Sequence, residues 1–359
     1  MKILQVCNHF YPCVGGIETI VLELSKKLKE KGHKVKVICL NACSKEKKEL
    51  QKKTKIQDIE VERLNFIDLK YYKIAPHIIS KLEDFQIIHV HGIGFFSDFL
   101  LLTKPFHKKK VFVSTHGGIF HTKTIGVIKK IYFNIIQKLL LKNADKVIAV
   151  SKNDFEIFKR ISENTTLIEN GINLKKFKQE KKEKNSFVYI GRFSQNKNID
   201  LLLKTFSQLK DHNFKLIIAG NDQERLLEKL KKTSQELKIE KKVKFIVNPT
   251  DEQAIELYAK NEFFVSASEY EGFGITLIEA MASGCIPIVQ KNNSFKHIIT
   301  NKVNGFLTNF QNDEAKETIE KTMKMKTQEK QKILQEAQKK ANYYSIEKMV
   351  EKIEKSYGE

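Results

Sequence analysis

The chain has 359 residues, of which 41% are hydrophobic and 30% are charged, and its formal net charge is +21. This length exceeds the ~250–300 residues at which single cores stop growing, so we expect two domains. The sequence has neither a run of ~18 apolar residues nor the features of a signal peptide, and we therefore expect no transmembrane helix and no leader.

The cysteines indicate a reducing environment. They are Cys7, Cys13, Cys39, Cys43 and Cys285. Their odd number and the lack of any CxxC pair predict neither a disulfide framework nor a zinc site, which favours a cytoplasmic location. We interpret His89 and His91, at a predicted strand end, as structural residues rather than metal ligands.

The positive charge is concentrated in the first half, where residues 1–170 contain 30 Lys and Arg against 17 Asp and Glu. Such an excess predicts an anionic partner: a nucleotide phosphate, a nucleic acid or an anionic membrane face. The alternative is that lysines merely solvate ordinary helix surfaces. We expect no nucleic-acid partner, because Trp is absent and no RNA-binding motif with interleaved aromatics occurs.

The first half alternates strands and helices. A strand at 3–7 leads into a loop with Gly15 and Gly16, which opens a helix that ends at Gly32. The Gly pair is not a GxGxxG fingerprint, but its N–H groups could contact a phosphate. Residues 44–55 are predicted to form an exposed loop or ragged helix. Further strands are predicted at 35–40, 86–91, 110–116 and 146–150, with a long helix through 124–142 and a helix capped by Ser151.

The second half repeats this alternation after a lysine-rich link. Strands are predicted at 187–191, 215–220, 243–247, 263–268 and 286–290, with helices at 198–210, 222–237 and 251–260 and a helical tail from about residue 313. The helix at 251–260 carries a capping box formed by Thr250 and Gln253. This pattern predicts an α/β fold with two doubly wound, Rossmann-like domains, residues 1–170 and 171–340. The apolar stripe of 341–359 suits a helix that packs on another surface.

The stretch EGFGITLIE, residues 271–279, carries the clearest chemical pattern. It follows a predicted strand, so Glu271 falls in a loop at a carboxyl end and Glu279 in the following helix, which Gly284 ends. Gly272 and Gly274 allow close approach of a ligand to the backbone, and the helix start attracts anions. The stretch could therefore bind two sets of hydroxyls and a phosphate.

A second loop carries two cations. Arg192 directly follows a predicted strand, and Lys197 lies five residues further on. Arg binds phosphate through a planar fork and Lys as a point charge, so together they could hold a diphosphate. A nucleotide-sugar needs such a clamp, because negative charge builds on the leaving diphosphate as the glycosidic bond breaks.

The ordered set of motifs resembles glycosyltransferase family 4, whose retaining enzymes have the two-domain GT-B fold. The resemblance covers nearly the whole chain, and its most specific part is the E-x7-E motif of 271–279. The matching segments are GGIE (15–18), STHGG (114–118), VSKND (150–154), ENGIN (169–173), GRFSQNKN (191–198), IAG (218–220) and EGFGITLIE (271–279).

The resemblance implies a role for each site residue. Glu271 would contact hydroxyls of the donor sugar, Glu279 the ribose, and Arg192 and Lys197 the diphosphate. His116 would lie near the reacting centre. The backbone of Gly15, Gly16, Gly272, Phe273 and Gly274 would complete the phosphate and sugar site. The first domain would bind the acceptor and the second the nucleotide-sugar across a cleft, with a hinge at Asn170 and Gly171 and a C-terminal helix that crosses back to the first domain.

The implied reaction transfers a hexosyl group, with retention, from a UDP- or GDP-sugar to an acceptor hydroxyl. Such enzymes lack a placed nucleophile, so the leaving phosphate is expected to deprotonate the acceptor on the same face. No DxD motif follows a strand, and we expect no cofactor and no metal requirement. Lysines at 108–110, 123, 129 and 130 would suit an anionic membrane face, which favours a lipid-linked or cell-surface glycan acceptor at the inner face of the plasma membrane.

Two other interpretations remain open. A nucleotide-sugar 2-epimerase shares this fold but needs additional acidic and basic residues that the sequence does not identify. A non-catalytic membrane- or nucleic-acid-binding protein would have no use for Glu271, Glu279, Arg192 and Lys197.

Overall fold

The structure, a computed structural model, describes residues 1–13, 15–43, 50–69, 72–117, 130–211 and 213–359. The chain forms two compact units. Met1–Gly171 and Ile346–Glu359 make the first, and Ile172–Ser345 makes the second. Each contains a parallel sheet with helices between successive strands, as the alternating sequence pattern predicts. Among the described residues, no helix combines the length and apolarity required to span a bilayer.

The first unit has an eight-stranded sheet in the order β10-β9-β8-β7-β1-β2-β4-β3, together with a small ribbon of β5 and β6. Its strands are β1 (Lys2–Cys7), β2 (Lys34–Leu40), β3 (Lys53–Ile56), β4 (Ile59–Leu64), β5 (Ile67–Asp68), β6 (Lys73–Ile74), β7 (Ile87–His91), β8 (Lys110–Ser114), β9 (Lys146–Ala149) and β10 (Thr165–Leu167). All neighbouring strands in the large sheet are parallel except β3 and β4. Alternate side chains of β2 enter opposite cores, with Ile38 and Leu40 on one face and Val37 and Cys39 on the other.

The described helices of the first unit lie between these strands, apart from the C-terminal one. They are Gly16–Glu30, Phe95–Leu102, Lys104–His107, the π-helical Tyr132–Gln137, Lys138–Leu140, Lys152–Phe158 and Ile346–Gly358, with 3-10 turns at Pro76–Lys81 and Leu141–Asn143. Ser151 caps its helix as predicted, since its hydroxyl accepts a hydrogen bond from the N–H of Asp154. Residues 124–129 of the predicted helix at 124–142 lie outside the described residues, and the described part is helical from Lys130.

The second unit has a six-stranded parallel sheet in the order β13-β12-β11-β14-β15-β16. The strands are β11 (Glu183–Ile190), β12 (Lys215–Gly220), β13 (Val243–Val247), β14 (Asn261–Ser266), β15 (Ile286–Gln290) and β16 (Phe306–Thr308). Phe187 and Tyr189 of β11 point into one core, and Val188 and Ile190 point into the other, because successive side chains alternate across the sheet.

Its helices cover both faces of that sheet. They are Ile199–Ser207, Leu227–Glu236, Asp251–Lys260, Ile275–Ala282, Phe295–Ile298, Glu314–Met323 and Thr327–Tyr343, with 3-10 turns at Leu174–Lys176 and Gln195–Lys197. The predicted capping box is present, since the Thr250 hydroxyl accepts from the Gln253 N–H and the Gln253 side chain accepts from the Thr250 N–H. Gly284 ends its helix with a φ of +78°, a conformation that favours glycine.

The C-terminal helix, Ile346–Gly358, belongs to the first unit. Its apolar stripe is buried there, including Met349, Val350 and Ile353. On the polar side, Glu354 accepts hydrogen bonds from Lys31 Nζ at 2.7 Å and from His33 Nε2 at 2.8 Å. The chain thus returns to its first unit through both an apolar and an ionic contact, as the GT-B resemblance implies.

Sequence reasoning missed the pair of antiparallel strands β3 and β4, because it assigned the lysine-rich residues 44–55 to a loop or ragged helix. Lys53–Ile56 is a strand that pairs with Ile59–Leu64, and residues 44–49 lie outside the described residues. Four residues are too few for the alternation of a strand to stand out among neighbouring lysines.

The expectation of no disulfide was wrong. Cys13 and Cys43 form a disulfide with their Cα atoms 5.5 Å apart. They lie in the loops that follow β1 and β2, which are adjacent parallel strands, so the sheet brings together two cysteines 30 positions apart. A count of cysteines cannot reveal this proximity. The disulfide also runs against the reducing environment inferred from that count, whereas Cys7, Cys39 and Cys285 are free and buried.

We predict that the disulfide stabilises the first unit. Closing a loop of this length contributes about 3–4 kcal/mol by the chain-entropy estimate. Dithiothreitol should therefore lower the melting temperature of the wild-type protein, measured by circular dichroism. The Cys13→Ser/Cys43→Ser variant should melt at that lower temperature with or without dithiothreitol. The prediction would be contradicted if neither dithiothreitol nor the double substitution lowered the melting temperature below that of the oxidised wild-type protein.

Candidate active site

The predicted site residues of the second unit lie at the point where the strand order of its sheet reverses. From β11 the chain first adds β12 and β13 on one side, then crosses to add β14, β15 and β16 on the other. Loops after β11 and β14 therefore diverge at the carboxyl edge, and ligands of doubly wound sheets bind in the crevice between such loops. Arg192 and Lys197 follow β11, whereas Glu271 follows β14.

An ion pair joins these two loops. Lys197 Nζ lies 2.6 Å from Glu271 Oε1, and the two side chains are only 10% and 15% exposed. The backbone supports the same contact, since the N–H of Glu269 donates to the carbonyl of Asn196 at 3.0 Å. A lysine ammonium has three N–H groups. The pair therefore fixes both side chains while leaving N–H groups of Lys197 for a ligand.

Arg192 differs from Lys197 in its surroundings. Its side chain is exposed, and its guanidinium has no hydrogen bond or ion pair with any residue that the structure describes. Its main chain is fixed, because the Tyr189 hydroxyl donates to the Arg192 carbonyl at 3.1 Å. Gly220 packs so closely that a Cβ there would overlap the carbonyl oxygen of Gly191. A rigid turn thus presents a free cation.

The loop of Glu271 is held by residues that sequence reasoning did not identify. The Ser294 hydroxyl donates to the Glu271 carbonyl, and Asn292 Nδ2 donates to the Ser268 carbonyl at 2.9 Å. Phe273 is buried and packs edge-on against Tyr344. Their only sequence signal was an Asn-Asn-Ser cluster after a strand, which reads as an ordinary turn.

Gly274 sets up the helix that follows. Its φ is +105°, and a Cβ there would lie 3.0 Å from the Phe295 ring, so glycine is required by both conformation and space. The helix Ile275–Ala282 has no acidic side chain in its first turn. Its N-terminus is therefore open to an anion. Gly272 has open space where a Cβ would be, so it does not need to be glycine for packing.

Glu279 lies in the second turn of this helix and is partly buried. The Tyr258 hydroxyl donates to its Oε2 at 3.2 Å. Burial raises the pKa of Glu279 to about 7, because desolvation outweighs the hydrogen bond from Tyr258. Lys182 holds the two helices together by donating to the Tyr258 carbonyl at 2.8 Å and the Ser283 carbonyl at 2.6 Å. No sequence signal distinguishes Lys182 within its lysine-rich link.

The remaining predicted residues, Gly15, Gly16 and His116, lie in the first unit. Its sheet reverses between β1 and β7, and all three residues follow strands at the carboxyl edge. Gly15 precedes the helix Gly16–Glu30, whose first turn contains Glu18. The Glu18 carboxylate lies beside Gly15, which weakens the attraction of this helix start for a phosphate. Gly118, the last residue of the STHGG segment, lies outside the described residues.

His116 belongs to a buried network that sequence reasoning missed. His116 Nε2 lies 3.0 Å from His91 Nδ1, and His91 Nε2 lies 2.7 Å from Gln5 Oε1. With the Gln5 amide oriented so that Oε1 faces His91, His91 carries its proton on Nε2 and accepts at Nδ1 from the Nε2–H of His116. This assignment leaves the lone pair of His116 on Nδ1. The φ of His116 is +46°, so the turn that aims the ring is left-handed.

The network extends to the C-terminal helix. His89 Nδ1 lies 2.6 Å from the Tyr357 hydroxyl, and His89 Nε2 lies 2.8 Å from Ser114 Oγ. Burial lowers the pKa of His89 to about 3 and that of His116 to about 4, and it lowers the pKa of His91 well below its usual value. All three rings are therefore neutral at neutral pH. In the described part of the chain, no group of three or more His, Cys, Asp or Glu side chains is arranged to hold a metal ion.

The turn that carries His116 is anchored by Asp154. This carboxylate accepts from the Thr115 hydroxyl and from the Gly117 N–H, the latter at 2.7 Å. Desolvation raises the pKa of Asp154 in spite of these bonds. Asp154 also occupies the third position after the Ser151 cap. The start of the helix Lys152–Phe158 therefore holds the turn that carries His116.

Comparison with known proteins identifies the family. A model described as Glycosyltransferase Family 4 matches residues 14–176, and one described as Glycosyl transferases group 1 matches residues 172–341. The chain is 30% identical over 315 residues to a GDP-mannose:cellobiosyl-diphosphopolyprenol alpha-mannosyltransferase of Komagataeibacter xylinus, covering 86% of this chain and 80% of that protein. It is 32% identical over 317 residues to the protein of the same name from Xanthomonas campestris, covering 86% and 83%.

Solved structures agree on the fold. A sucrose-phosphate synthase from Thermosynechococcus elongatus superposes with a TM-score of 0.80 at 19% identity, covering 99% of this chain and 98% of the other. The Anabaena protein HepE, solved with UDP and glucose, superposes with a TM-score of 0.79 at 18% identity, covering 100% and 99%. These likenesses define the fold as GT-B. The chain belongs to glycosyltransferase family 4 and is a glycosyltransferase.

Glu279 makes stability depend on pH. Its pKa is about 7 in the folded protein against an ordinary value of 4.5, so the folded state retains a proton that the unfolded chain has lost. The free energy of unfolding should therefore fall as pH rises from 4.5 through 7. Relative to wild type, Glu279→Gln should gain stability as the pH rises from 4.5 to about 7 and should keep that gain at higher pH. Urea unfolding of both proteins at each pH measures this, and Glu228→Gln, at an exposed helix position, is the control. A pH-independent difference would contradict the shift.

Proposed function

We propose that this enzyme transfers a mannosyl group from GDP-mannose to a hydroxyl of a glycan linked to a polyprenyl diphosphate, with retention of configuration. The observation that carries the proposal is the pairing of Lys197 with Glu271 beside the exposed Arg192, at the reversal of the second sheet. The mannosyltransferases of Komagataeibacter xylinus and Xanthomonas campestris, by their names, use such a donor and acceptor, which supports the choice of substrates.

In the proposed donor complex, the second unit binds the nucleotide. Arg192 and the free N–H groups of Lys197 contact the diphosphate, and the helix start after Gly274 adds its N–H groups. Glu271 accepts from hydroxyls of the sugar. Glu279 accepts hydrogen bonds from the two ribose hydroxyls. These hydroxyls replace the water molecules that the carboxylate loses when it is buried. Negative charge on the departing diphosphate is thereby stabilised as the glycosidic bond breaks.

In the proposed reaction, the acceptor hydroxyl attacks the anomeric carbon on the face that the diphosphate leaves. The departing phosphate oxygen takes the acceptor proton, so no protein nucleophile and no metal ion is needed. GDP-mannose is an α-linked donor, and an α-linked product therefore means retention. The neutral His116 contacts the sugar near the reacting carbon through its Nδ1 lone pair, and the Gly15–Gly16 loop closes the sugar site.

We further propose that the enzyme works at the inner face of the plasma membrane, where it meets its lipid-linked acceptor. The excess of Lys and Arg in residues 1–170 supports attraction to anionic lipids. UDP-sugars remain the alternative donor class, because HepE, whose structure resembles this one, was solved with UDP and glucose.

Removing both cations should abolish transfer. We expect Arg192→Ala/Lys197→Ala to lower kcat by about 10²–10³-fold or more, because each group stabilises charge that develops only in the transition state. Release of GDP in the presence of acceptor, measured by a coupled assay, gives the rate. Lys204→Ala, an exposed lysine in the next helix, is the matched control and should retain full activity. Undiminished transfer by the double variant would place the site elsewhere.

The nucleotide base can be tested by binding alone. GDP-mannose at a hundredfold excess over its dissociation constant should stabilise the protein by about 2.7 kcal/mol and raise its melting temperature. UDP-glucose and UDP-N-acetylglucosamine at the same concentration should give smaller shifts. Glu279→Ala should reduce the shift with every nucleotide, since ribose is common to all. A larger shift with a UDP-sugar would reject GDP-mannose as the donor.

A further inference from the structure

Three neighbouring helices of the first unit, Phe95–Leu102, Lys104–His107 and the helix from Lys130 to Asn143, expose an unusual number of large apolar side chains. Six of them are between 45% and 85% exposed: Leu102, Phe106, Ile131, Ile135, Ile136 and Leu139. We call these six the apolar face. Single exposed apolar residues are ordinary, but a group on adjacent helices marks an interaction surface.

The helix from Lys130 to Asn143 cannot roll to hide this face. Its inner side is anchored by the buried Asp98, which accepts hydrogen bonds from the Tyr132 hydroxyl and from Gln137 Nε2, the latter at 2.6 Å. The π-helical turn Tyr132–Gln137 widens the spacing, so both residues point inward. Ile131, Ile135 and Leu139 recur every four residues on the outer side and are held towards solvent.

Both shorter helices are joined to the end of the helix from Lys130 to Asn143. Lys104 Nζ donates to the Asn143 carbonyl at 2.8 Å, and Asn143 Nδ2 donates to the Leu101 carbonyl at 3.3 Å. Phe106, which is the most exposed of the six, therefore lies on a helix packed against the end of the helix that carries Ile131, Ile135 and Leu139.

The chain segment that carries the apolar face contains lysines but no acidic residue. Between Asp98 and Asp145 the sequence contains nine lysines and no acidic residue. Both bounding carboxylates are engaged, Asp98 with the buried tyrosine and glutamine and Asp145 with Lys104 at 2.5 Å. The exposed lysines 108, 130, 138 and 142 form no ion pair with any described residue. Cations beside the apolar face are thus uncompensated.

Two recesses are lined by cations of this region together with apolar side chains. One, of about 460 Å³, is lined by Lys130 and Arg160 together with Phe133 and Ile157. The other, of about 500 Å³, has Lys104, Lys108 and Lys142 beside Pro105. Cations next to apolar side chains match the chemistry of a phospholipid, which joins a phosphate to glycerol and acyl carbons.

We propose that the apolar face and its lysines dock on the surface of a bilayer containing anionic phospholipids. The six apolar side chains enter the headgroup region, and lysines 108, 130, 138 and 142 contact lipid phosphates. A second copy of this chain fits poorly, because it would bring the same uncompensated lysines together. The inference deepens the proposed function by naming the surface that brings the enzyme to a lipid-linked acceptor.

Sedimentation with vesicles tests the surface. The full-length protein should sediment with vesicles of phosphatidylcholine and phosphatidylglycerol, and much less with phosphatidylcholine alone. Ile131→Ser/Ile135→Ser/Leu139→Ser should weaken partitioning by at least about tenfold, because the buried apolar area is lost. Lys130→Gln/Lys138→Gln/Lys142→Gln should weaken it by a similar factor, and only for anionic vesicles.

Matched variants on the second unit separate this face from net charge. Lys204→Gln/Lys324→Gln/Lys332→Gln removes three exposed lysines that form no ion pair with a described residue, and Val303→Ser removes an exposed apolar side chain. Both should bind vesicles like wild type. Equal losses in the two lysine variants would mean that binding follows total charge and would overturn the proposal. Wild-type protein that stays in the supernatant with anionic vesicles would overturn it as well.

Tryptophan fluorescence gives a direct readout of immersion, since the chain contains no Trp. Leu139→Trp should shift to shorter wavelength on anionic vesicles and be quenched by brominated lipid, whereas Val303→Trp should do neither. An unquenched Leu139→Trp on sedimented vesicles would reject this face.

These measurements need neither donor nor acceptor, so they stand if the proposed substrates are wrong. Transfer to a short-chain, water-soluble acceptor should be unchanged in Ile131→Ser/Ile135→Ser/Leu139→Ser, whereas transfer to a polyprenyl-linked acceptor in vesicles should fall with binding. No transfer to any acceptor by wild type, with vesicle binding intact, would reject the proposed function and leave the docking surface standing.

Discussion

The ion pair between Lys197 and Glu271 links two loops that are distant in sequence and adjacent in the sheet. The strands before these loops are neighbours at the point where the strand order reverses. The chain therefore leaves the two strands towards opposite faces of the sheet, and the polar groups of the two loops line the crevice between them. A partly buried charge without a partner is costly, so each residue requires the other when no ligand is present. The exposed Arg192 escapes this constraint and is free for an anion.

Much of this arrangement follows from local sequence rules. The predicted bounds of β12, β13 and β15 match the structure because continuous apolar runs between turn residues specify buried parallel strands. The stop at Gly284 and the capping box at Thr250 are matched because each depends on chemistry within a few residues. The placement of the Arg192–Lys197 loop at the same sheet edge as the EGFGITLIE stretch was predictable only because parallel strands align their carboxyl ends.

The partners of the site residues could not be predicted, because they come from distant parts of the chain. Tyr258 reaches Glu279 from another helix, and Tyr357 reaches His89 across 268 positions. Cys13 and Cys43 required knowledge that β1 and β2 are adjacent. In each case the residue type is ordinary where it stands in the sequence, and only the sheet order brings the pair together.

The candidate site residues of the two units differ in their electrostatics. The second unit presents full charges, Arg192 and the Lys197–Glu271 pair, which suit a diphosphate and hydroxyl groups. The first unit presents imidazoles kept neutral by burial, in a chain that is otherwise strongly basic. Glycosyl transfer passes through a sugar with oxocarbenium character, which a nearby imidazolium would destabilise. In the proposed reaction, a neutral His116, fixed through His91 and Gln5, accepts a hydrogen bond from the sugar without opposing that positive charge.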